Sequence, residues 1–217
     1  MLGSCGRSDG VSVDAAVSTG EDASSRRLFV GRGALAAASI IGGISLLGPR
    51  ALSAGAAPSA AQDQKIFNFA LLLEYLQAGF YGEAVERGGL TGEVREFAET
   101  VADHERQHVA YLRRALGSRA RKRPTFSFGA ATRENGSFLK AAVMLENTGV
   151  SAYNGQAANL TKKALAAAAE IVSVEGRHAA WVSDLAGEDP APRAADVGAE
   201  ASAVVATLRG TGFLESA

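Results

Sequence analysis

The sequence predicts an all-α protein built on a four-helix bundle. It has 217 residues, is 47% hydrophobic and contains only 5 prolines, and past residue 60 it shows almost none of the alternation typical of strands. Apolar residues instead recur every three to four positions in four segments that glycines or polar linkers separate. The formal net charge of -1 gives no general attraction to nucleic acid. The single cysteine, Cys5, excludes a disulfide framework and a cysteine-based zinc site.

Residues 1–56 are predicted to be a disordered N-terminus followed by an export signal. Residues 1–24 are mostly small and polar, with no helical or strand period. Arg26 and Arg27 then precede an apolar run over residues 33–48, which is typical of a twin-arginine secretion signal. An uncleaved membrane anchor is the alternative, although the run is short and rich in glycine and alanine for a membrane span. We therefore expect export across the cytoplasmic membrane, to the periplasm, cell wall or exterior, by the twin-arginine machinery.

Residues 57–217 are predicted to form the bundle domain. Gly88 and Gly89 end the first apolar stripe, and Thr91 is placed to cap the second helix. The expected helices cover residues 63–88, 91–116, 133–159 and 161–186, with a short fifth helix over 197–209. The basic segment 118–132 separates the second and third helices. Its fifteen residues can span about 50 Å when extended, whereas a helix of the length predicted here is about 40 Å long. The segment can therefore serve as a long crossover.

A Glu-x-x-His pattern occurs twice in the bundle domain and places each Glu one helical turn from its His. Each pair follows a helix that carries a single Glu on its apolar face. Each single Glu lies about as far before the intervening turn as its pair lies after it, so antiparallel packing brings them to one level. The resulting candidate metal ligands are Glu74, Glu105, His108, Glu146, Glu175 and His178.

Four carboxylates buried at one level would repel one another, and burial of each charge is unfavourable. Two divalent cations would cancel the four negative charges. A donor set of carboxylates with two imidazoles suits iron, or alternatively manganese, better than a structural zinc ion. The sequence therefore predicts a dimetal site, a pattern known in helical bundles.

The same segments resemble the ferritin-like domain family, in the branch that includes bacterial and plant desiccation-related proteins. The resemblance covers about residues 62–186. It rests on FNFALLLEYL (67–76), DHERQH (103–108), LENTGVSAY (145–153) and VEGRHAAW (174–181). It implies a ferritin-like bundle with two half-sites, in which Glu105 and Glu175 bridge or chelate. One half-site would be Glu74, Glu105 and His108; the other would be Glu146, Glu175 and His178.

Three further patterns have alternative interpretations. His104, Glu105 and His108 match the His-Glu-x-x-His motif of zinc peptidases, but that motif needs a third ligand shortly downstream. Tyr153 lies two turns from Glu146, either as a group of the site or as ordinary core. The basic run over residues 113–123 could bind DNA, but a solvated helix end explains it as well, and we expect no nucleic-acid partner.

These patterns lead to one principal functional hypothesis. We expect an exported dimetal protein that oxidises Fe(II) with dioxygen or hydrogen peroxide in oxidative or desiccation stress. One alternative is a di-manganese enzyme that disproportionates peroxide. The other is a non-catalytic helical stress or structural protein that metal stabilises. The sequence leaves the oligomeric state open.

Overall fold

The computed structural model of the protein describes residues 57–216. The predicted disordered segment and twin-arginine signal, residues 1–56, lie outside the described residues, so export stays a prediction. Within residues 57–216, no helix combines the length and the hydropathy that a membrane crossing requires.

The described chain is an α-helical bundle, which confirms the predicted fold class. Its helices are α1 (Ala60–Arg87), α2 (Gly92–Leu116), α3 (Asn135–Gln156), α4 (Lys162–Leu185) and the shorter α5 (Ala201–Thr211). Turns of 3-10 helix follow α2, at Gly117–Arg119, and α3, at Ala157–Asn159. Two short strands, β1 (Thr125–Phe126) and β2 (Leu214–Ser216), pair antiparallel. The sequence analysis did not predict this pairing.

Contacts at the helix ends define the directions of the four long helices. The Asp63 carboxylate, in the first turn of α1, accepts hydrogen bonds from the backbone N–H and the hydroxyl of Thr161, which caps α4. At the opposite end, Asn135 contacts Thr91 at the start of α2. The helices α1 and α4 therefore run one way, and α2 and α3 run the other way. Thr91 occupies the predicted cap position, but its side chain makes no capping bond to α2 and instead accepts from Asn135 Nδ2.

The segment between α2 and α3 runs along α1, as a long crossover requires. Asn68 in the first half of α1 bonds to the backbone of Arg119 and of Arg121. Thr132, near the other end of the segment, donates to Glu83 in the second half of α1. Because the crossover covers one side of α1 while the other helices cover the rest, α1 is buried around most of its circumference.

Aromatic residues fill the core at the end of the bundle where α2 and α3 begin. The Phe80 ring stacks on Phe138 with centroids 5.2 Å apart, and it meets Phe128 of the crossover edge-on. Phe213, which follows α5, packs on the same cluster. This packing joins the crossover and the C-terminal segment to the bundle, and it leaves the polar side chains at the middle of the four helices.

Candidate metal centre

The middle of the bundle holds a cluster of buried acidic and imidazole side chains. The four carboxylates are at most 1% exposed, and the two histidines are 9% and 2% exposed. One carboxylate comes from α1, one from α3, and a Glu and a His come from each of α2 and α4. The structure thus brings together all six residues that the sequence analysis selected, namely Glu74, Glu105, His108, Glu146, Glu175 and His178.

Two overlapping groups of these side chains could each hold a metal ion. Each residue of a group offers a donor atom, and the donor atoms of a group lie within 4.8 Å of one another. Glu105 and Glu175 belong to both groups, which agrees with the bridging role that the family resemblance implied. The first group is completed by Glu74 and His108, and the second is completed by Glu146 and His178.

Both histidines turn the Nδ1 atom toward the carboxylates. His108 Nδ1 lies 3.0 Å from Glu175 Oε1 and 3.4 Å from Glu74 Oε2. His178 Nδ1 lies 3.3 Å from Glu105 Oε1 and 3.3 Å from Glu146 Oε2. Each imidazole therefore contacts one carboxylate that both groups share and one that belongs to its own group alone, and the two ring centroids lie 6.1 Å apart.

Glu74 and Glu146 each belong to one group only, and we call them the outer carboxylates. A tyrosine from across the bundle holds each of them. Tyr153 on α3 donates to Glu74 Oε1 on α1 at 2.5 Å, and Tyr81 on α1 donates to Glu146 Oε1 on α3 at 2.5 Å. Gln77 also donates to Glu146 Oε1, at 3.0 Å. In each outer carboxylate one oxygen is thus occupied by protein donors, while the Oε2 atom is left to face the cluster.

The atoms that remain without partners test whether the cluster fits metal ions. Buried polar groups are normally hydrogen-bonded, yet ten buried side-chain atoms among residues 57–216 have no partner, and eight of them belong to the six clustered residues. They are both oxygens of Glu105 and of Glu175, Oε2 of Glu74 and of Glu146, and Nδ1 of His108 and of His178. Each is a good donor atom for a metal ion, and each is directed at the same small volume. The residues therefore fit the two cations that the ferritin-like fold implies.

Without metal ions, burial and the neighbouring charges shift the pKa values of side chains in the cluster. Burial raises the pKa of Glu105, and the neighbouring charge of Glu74 raises it further. Burial and the charge of Glu105 likewise raise the pKa of Glu175. Burial alone would lower the pKa of His108, but the surrounding carboxylates raise it to about 12. Burial also acts to raise the pKa of Glu74, but the contacts with His108, Glu105 and Tyr153 together outweigh it and lower that pKa. Compared with the isolated side chains, the metal-free site therefore favours the protonated forms of Glu105, Glu175 and His108.

The tyrosine hydroxyls keep their protons beside the carboxylates. Burial, followed by the charge of Glu146, raises the pKa of Tyr81 well above its usual value. Burial and the charge of Glu74 do the same for Tyr153. Both side chains are therefore hydrogen-bond donors, which corrects the alternative that Tyr153 is ordinary core. A repeat in the sequence could have revealed the pair, because each tyrosine follows the single Glu of its own helix by seven residues.

Gly149 lets α3 approach the shared carboxylate of α4. A Cβ atom at this position would lie 3.1 Å from Glu175 Oε2 and 3.5 Å from Gln77 Nε2, so any side chain would press on Glu175. The sequence analysis missed Gly149 and Gln77, because a small residue and an amide on a buried helix face are not distinctive by themselves.

His104 lies outside both groups of donors. Its Nδ1 atom is 2.9 Å from Nε2 of His178, on the side of that imidazole away from the carboxylates, and the two rings are stacked. Burial and the neighbouring His178 lower the pKa of His104. The arrangement disfavours the zinc-peptidase interpretation, in which His104 and His108 would bind the same ion. His104 instead orients His178 through its outer nitrogen.

The fold and the site together define a class of protein. A helical bundle that brings two single Glu residues and two Glu-x-x-His pairs to one buried centre has the pattern of dimetal-carboxylate proteins. The family model of the ferritin-like domain matches residues 62–188, and the chain belongs to this family. Comparison with curated proteins gives no significant match.

Proposed function

We propose that the protein is an exported ferritin-like protein that binds two metal ions and oxidises Fe(II) with dioxygen or hydrogen peroxide. The metal would be iron, with manganese as the alternative. The residues that would hold it are Glu74, Glu105, His108, Glu146, Glu175 and His178.

The eight unpartnered donor atoms are the observation that carries this proposal. Leaving a buried polar atom unpaired costs about 1–3 kcal/mol, and leaving a buried charge unpaired costs more. Two divalent cations would neutralise the four carboxylates and would give each of these atoms a partner. Manganese remains the alternative because carboxylate oxygens and imidazole nitrogens serve either metal.

The protein's own contribution is to hold the donors in place before any ion arrives. Tyr153 restrains Glu74, while Tyr81 and Gln77 restrain Glu146, so each outer carboxylate offers a single free oxygen. Glu105 and Glu175 offer both oxygens and so can serve two ions at once. When bound there, two Fe(II) ions would supply the two electrons that one oxidant molecule takes up. Burial of the cluster excludes bulk water and strengthens each of these contacts.

Export and stress protection complete the proposal. The Arg26-Arg27 pair before an apolar run supports export by the twin-arginine machinery. That route carries folded proteins, so the metal would be loaded before export. The resemblance to desiccation-related proteins supports a role in oxidative or desiccation stress. The partners would be dioxygen or hydrogen peroxide, and we propose no nucleic-acid partner.

The rate of Fe(II) oxidation by the purified protein tests the proposed activity. Anaerobic protein would be mixed with Fe(II) and then with dissolved dioxygen or hydrogen peroxide, and Fe(III) formation would be followed by absorbance. We expect oxidation faster than that of free Fe(II), and loss of this acceleration in Glu146→Ala. Glu170→Ala is the matched control, because Glu170 lies on the exposed side of α4 and its carboxylate accepts a hydrogen bond from the Tyr111 hydroxyl, away from the centre. Unchanged oxidation in Glu146→Ala would refute the proposal.

The same preparation separates the two alternatives. Peroxide disproportionation by the Mn(II)-loaded protein, without Fe(II) oxidation, would support the manganese enzyme. Metal binding that raises thermal stability, without either activity, would support a structural role.

A further inference from the structure

A row of aromatic side chains connects the metal centre to the protein surface. Tyr81, which donates to Glu146, meets Phe97 edge-on with ring centroids 5.8 Å apart. Phe97 meets Trp181 edge-on at 5.1 Å. Tyr81 and Phe97 are fully buried, whereas Trp181 is 38% exposed. The row therefore begins at a ring that is hydrogen-bonded to a candidate metal ligand and ends at a ring that solvent can reach.

The ends of the row are the two side-chain types that most readily lose one electron. Phenol oxidation requires an acceptor for the hydroxyl proton, and Glu146 Oε1 lies 2.5 Å from the Tyr81 oxygen. Phe97 is not itself oxidised, but its ring fills the gap between Tyr81 and Trp181. Trp181 is the single tryptophan of the chain, and part of its side chain is open to solvent.

Tyr153 provides an internal comparison. It makes the same kind of hydrogen bond, to Glu74, on the opposite side of the centre. Within residues 57–216, however, no aromatic ring is paired with the Tyr153 ring, although Phe67 and Phe69 line the same apolar cavity. Of the two equivalent tyrosines, only Tyr81 thus begins an aromatic row.

We propose that Tyr81 and Trp181 carry oxidising equivalents from the centre to the surface, where a small one-electron reductant such as a phenol can consume them. This inference rests on the proposed oxidation chemistry. It applies when Fe(II) is scarce, because hydrogen peroxide takes two electrons and two protons to form two molecules of water. One Fe(II) ion supplies one electron and becomes Fe(III). Trp181 supplies the other electron and loses its indole proton to solvent, which leaves a neutral indolyl radical.

Tyr81 acts as the relay in this step. It gives an electron to the oxidant and its hydroxyl proton to Glu146 Oε1, and it then recovers an electron from Trp181 and the proton from Glu146. The overall change converts Fe(II), the indole N–H group, hydrogen peroxide and one proton into Fe(III), the indolyl radical and two waters. The radical then forms at the exposed Trp181 ring instead of at the buried Tyr81 ring.

The first test uses the metal-free protein, so that it does not depend on iron chemistry. A dissolved ruthenium photo-oxidant would oxidise Trp181 in a short flash, in a Tyr111→Phe background that removes a solvent-accessible phenol. Because a row that carries an electron from Trp181 to Tyr81 also carries it back, transient absorption should show the indolyl radical falling to an equilibrium mixture with a tyrosyl radical and not disappearing. The Tyr153→Phe variant should retain this transfer, and the Tyr81→Phe variant should lose it. A tyrosyl radical that still forms in Tyr81→Phe, or that fails to form in protein that retains Tyr81, would overturn the proposal.

The second test uses protein loaded with one Fe(II) per chain and then mixed with hydrogen peroxide. Ring-deuterated tryptophan labels Trp181 alone, so electron paramagnetic resonance of rapidly frozen samples identifies its radical. The radical yield is expressed per Fe(III) formed, so that weakened metal binding in a tyrosine variant does not lower the yield that is compared. We expect a Trp181 radical in the wild type and in Tyr75→Phe, whose hydroxyl bonds to the backbone of Arg121 away from the centre, and background signal in Tyr81→Phe. Equal yields in the two tyrosine variants would contradict the proposed row.

Failure of this proposal can be told apart from failure of the proposed function. If Fe(II) oxidation is normal but no Trp181 radical forms, the aromatic row is wrong and the oxidation activity stands. If Fe(II) is not oxidised, the proposed function is wrong, and the flash experiment still decides whether Tyr81 and Trp181 exchange an electron. The Trp181→Phe variant should keep its contact with Phe97 while abolishing the surface radical.

Discussion

Tyr153 on the third helix donates a 2.5 Å hydrogen bond to Glu74 on the first helix. The reverse bond, from Tyr81 on the first helix to Glu146 on the third, has the same length. Each helix therefore orients the carboxylate that the other contributes. Because the donor and the carboxylate come from different hairpins, the site is complete only when the two hairpins are packed together.

These two reciprocal hydrogen bonds predict that the hydroxyl groups of Tyr153 and Tyr81 are both needed for tight metal binding. Tyr153→Phe and Tyr81→Phe should each weaken metal binding by about 10- to 100-fold, the range typical of groups that orient ligands. Tyr75→Phe is the matched control, because Tyr75 donates to the backbone of Arg121 on the crossover, away from the site. Competition with a coloured chelator measures the affinities. Wild-type affinity in both site variants would show that the tyrosines do not orient the carboxylates.

A pair of glycines separates helix propensity from close approach at the site. Gly149→Ala places a Cβ 3.1 Å from Glu175 Oε2, whereas a Cβ at Gly176, on α4 next to Glu175, meets nothing within 4 Å. Both substitutions improve helix propensity by about 1 kcal/mol. We expect Gly149→Ala to lower metal affinity and Gly176→Ala to leave it unchanged, as titration calorimetry would measure. Equal metal affinities in the two variants would show that a Cβ at position 149 does not disturb metal binding by Glu175, and would contradict the prediction.

Metal affinity should rise with pH. The pKa of Glu105 and that of Glu175 are raised by burial and by neighbouring carboxylates, and the pKa of His108 rises to about 12. The His108 imidazole therefore holds a proton at neutral pH that a bound cation must displace, and the raised pKa values of Glu105 and Glu175 favour further protons on the metal-free site. Calorimetry in buffers of different ionisation enthalpy should detect proton release on binding, and the affinity should increase from mildly acidic to neutral pH. An affinity that does not change with pH would contradict the assigned protonation.

The same pKa shift of His108 makes the stability of the metal-free protein depend on pH. Because the folded state holds the His108 proton more tightly than the unfolded chain does, its contribution is fully present below the ordinary pKa of 6.5. It is lost as the pH rises toward about 12. Urea unfolding of His108→Gln and wild-type protein without metal, at several pH values, should show the two stabilities converging as the pH rises. Parallel curves would refute the shift.

Metal removal should destabilise the fold, and neutralising a shared carboxylate should reverse part of the effect. A cation at 100 times its dissociation constant adds about 2.7 kcal/mol to the free energy of unfolding. Glu105→Gln should be at least as stable as the wild type without metal, since it replaces a carboxyl group whose charged form burial disfavours with a neutral amide, and should gain less when metal is added. Thermal unfolding with and without metal measures both effects. A metal-dependent gain as large as that of the wild type would contradict the assignment of Glu105.

Periodic and symmetric features of the site could be predicted from the sequence, whereas contacts between distant segments could not. Glu74 and Glu146 stand out because a carboxylate inside an apolar helical stripe requires compensation, and counting from the turns places each beside its Glu-x-x-His pair. Tyr81 fits an apolar stripe equally well as core, so its hydroxyl bond to Glu146 emerges only from the packing of α1 on α3. The strand pairing of β1 with β2 is too short to leave a periodic pattern.

The capping of α2 shows the same limit. Thr91 has the residue type and position of a helix cap, but Asn135, forty-four residues away, occupies its side chain. Local sequence rules do not include such a partner, because it depends on the crossover bringing the start of α3 beside the start of α2.

The number of metal ions bound per chain tests the central claim most directly. Anaerobic equilibrium dialysis against Fe(II), and separately against Mn(II), would be combined with elemental analysis and a circular dichroism check that the helices are intact. We predict two ions per chain in the wild type. We predict none in the folded Glu105→Ala, Glu175→Ala double variant, which lacks the carboxylates common to both groups. A single ion in the wild type, or two ions retained by the double variant, would contradict the account.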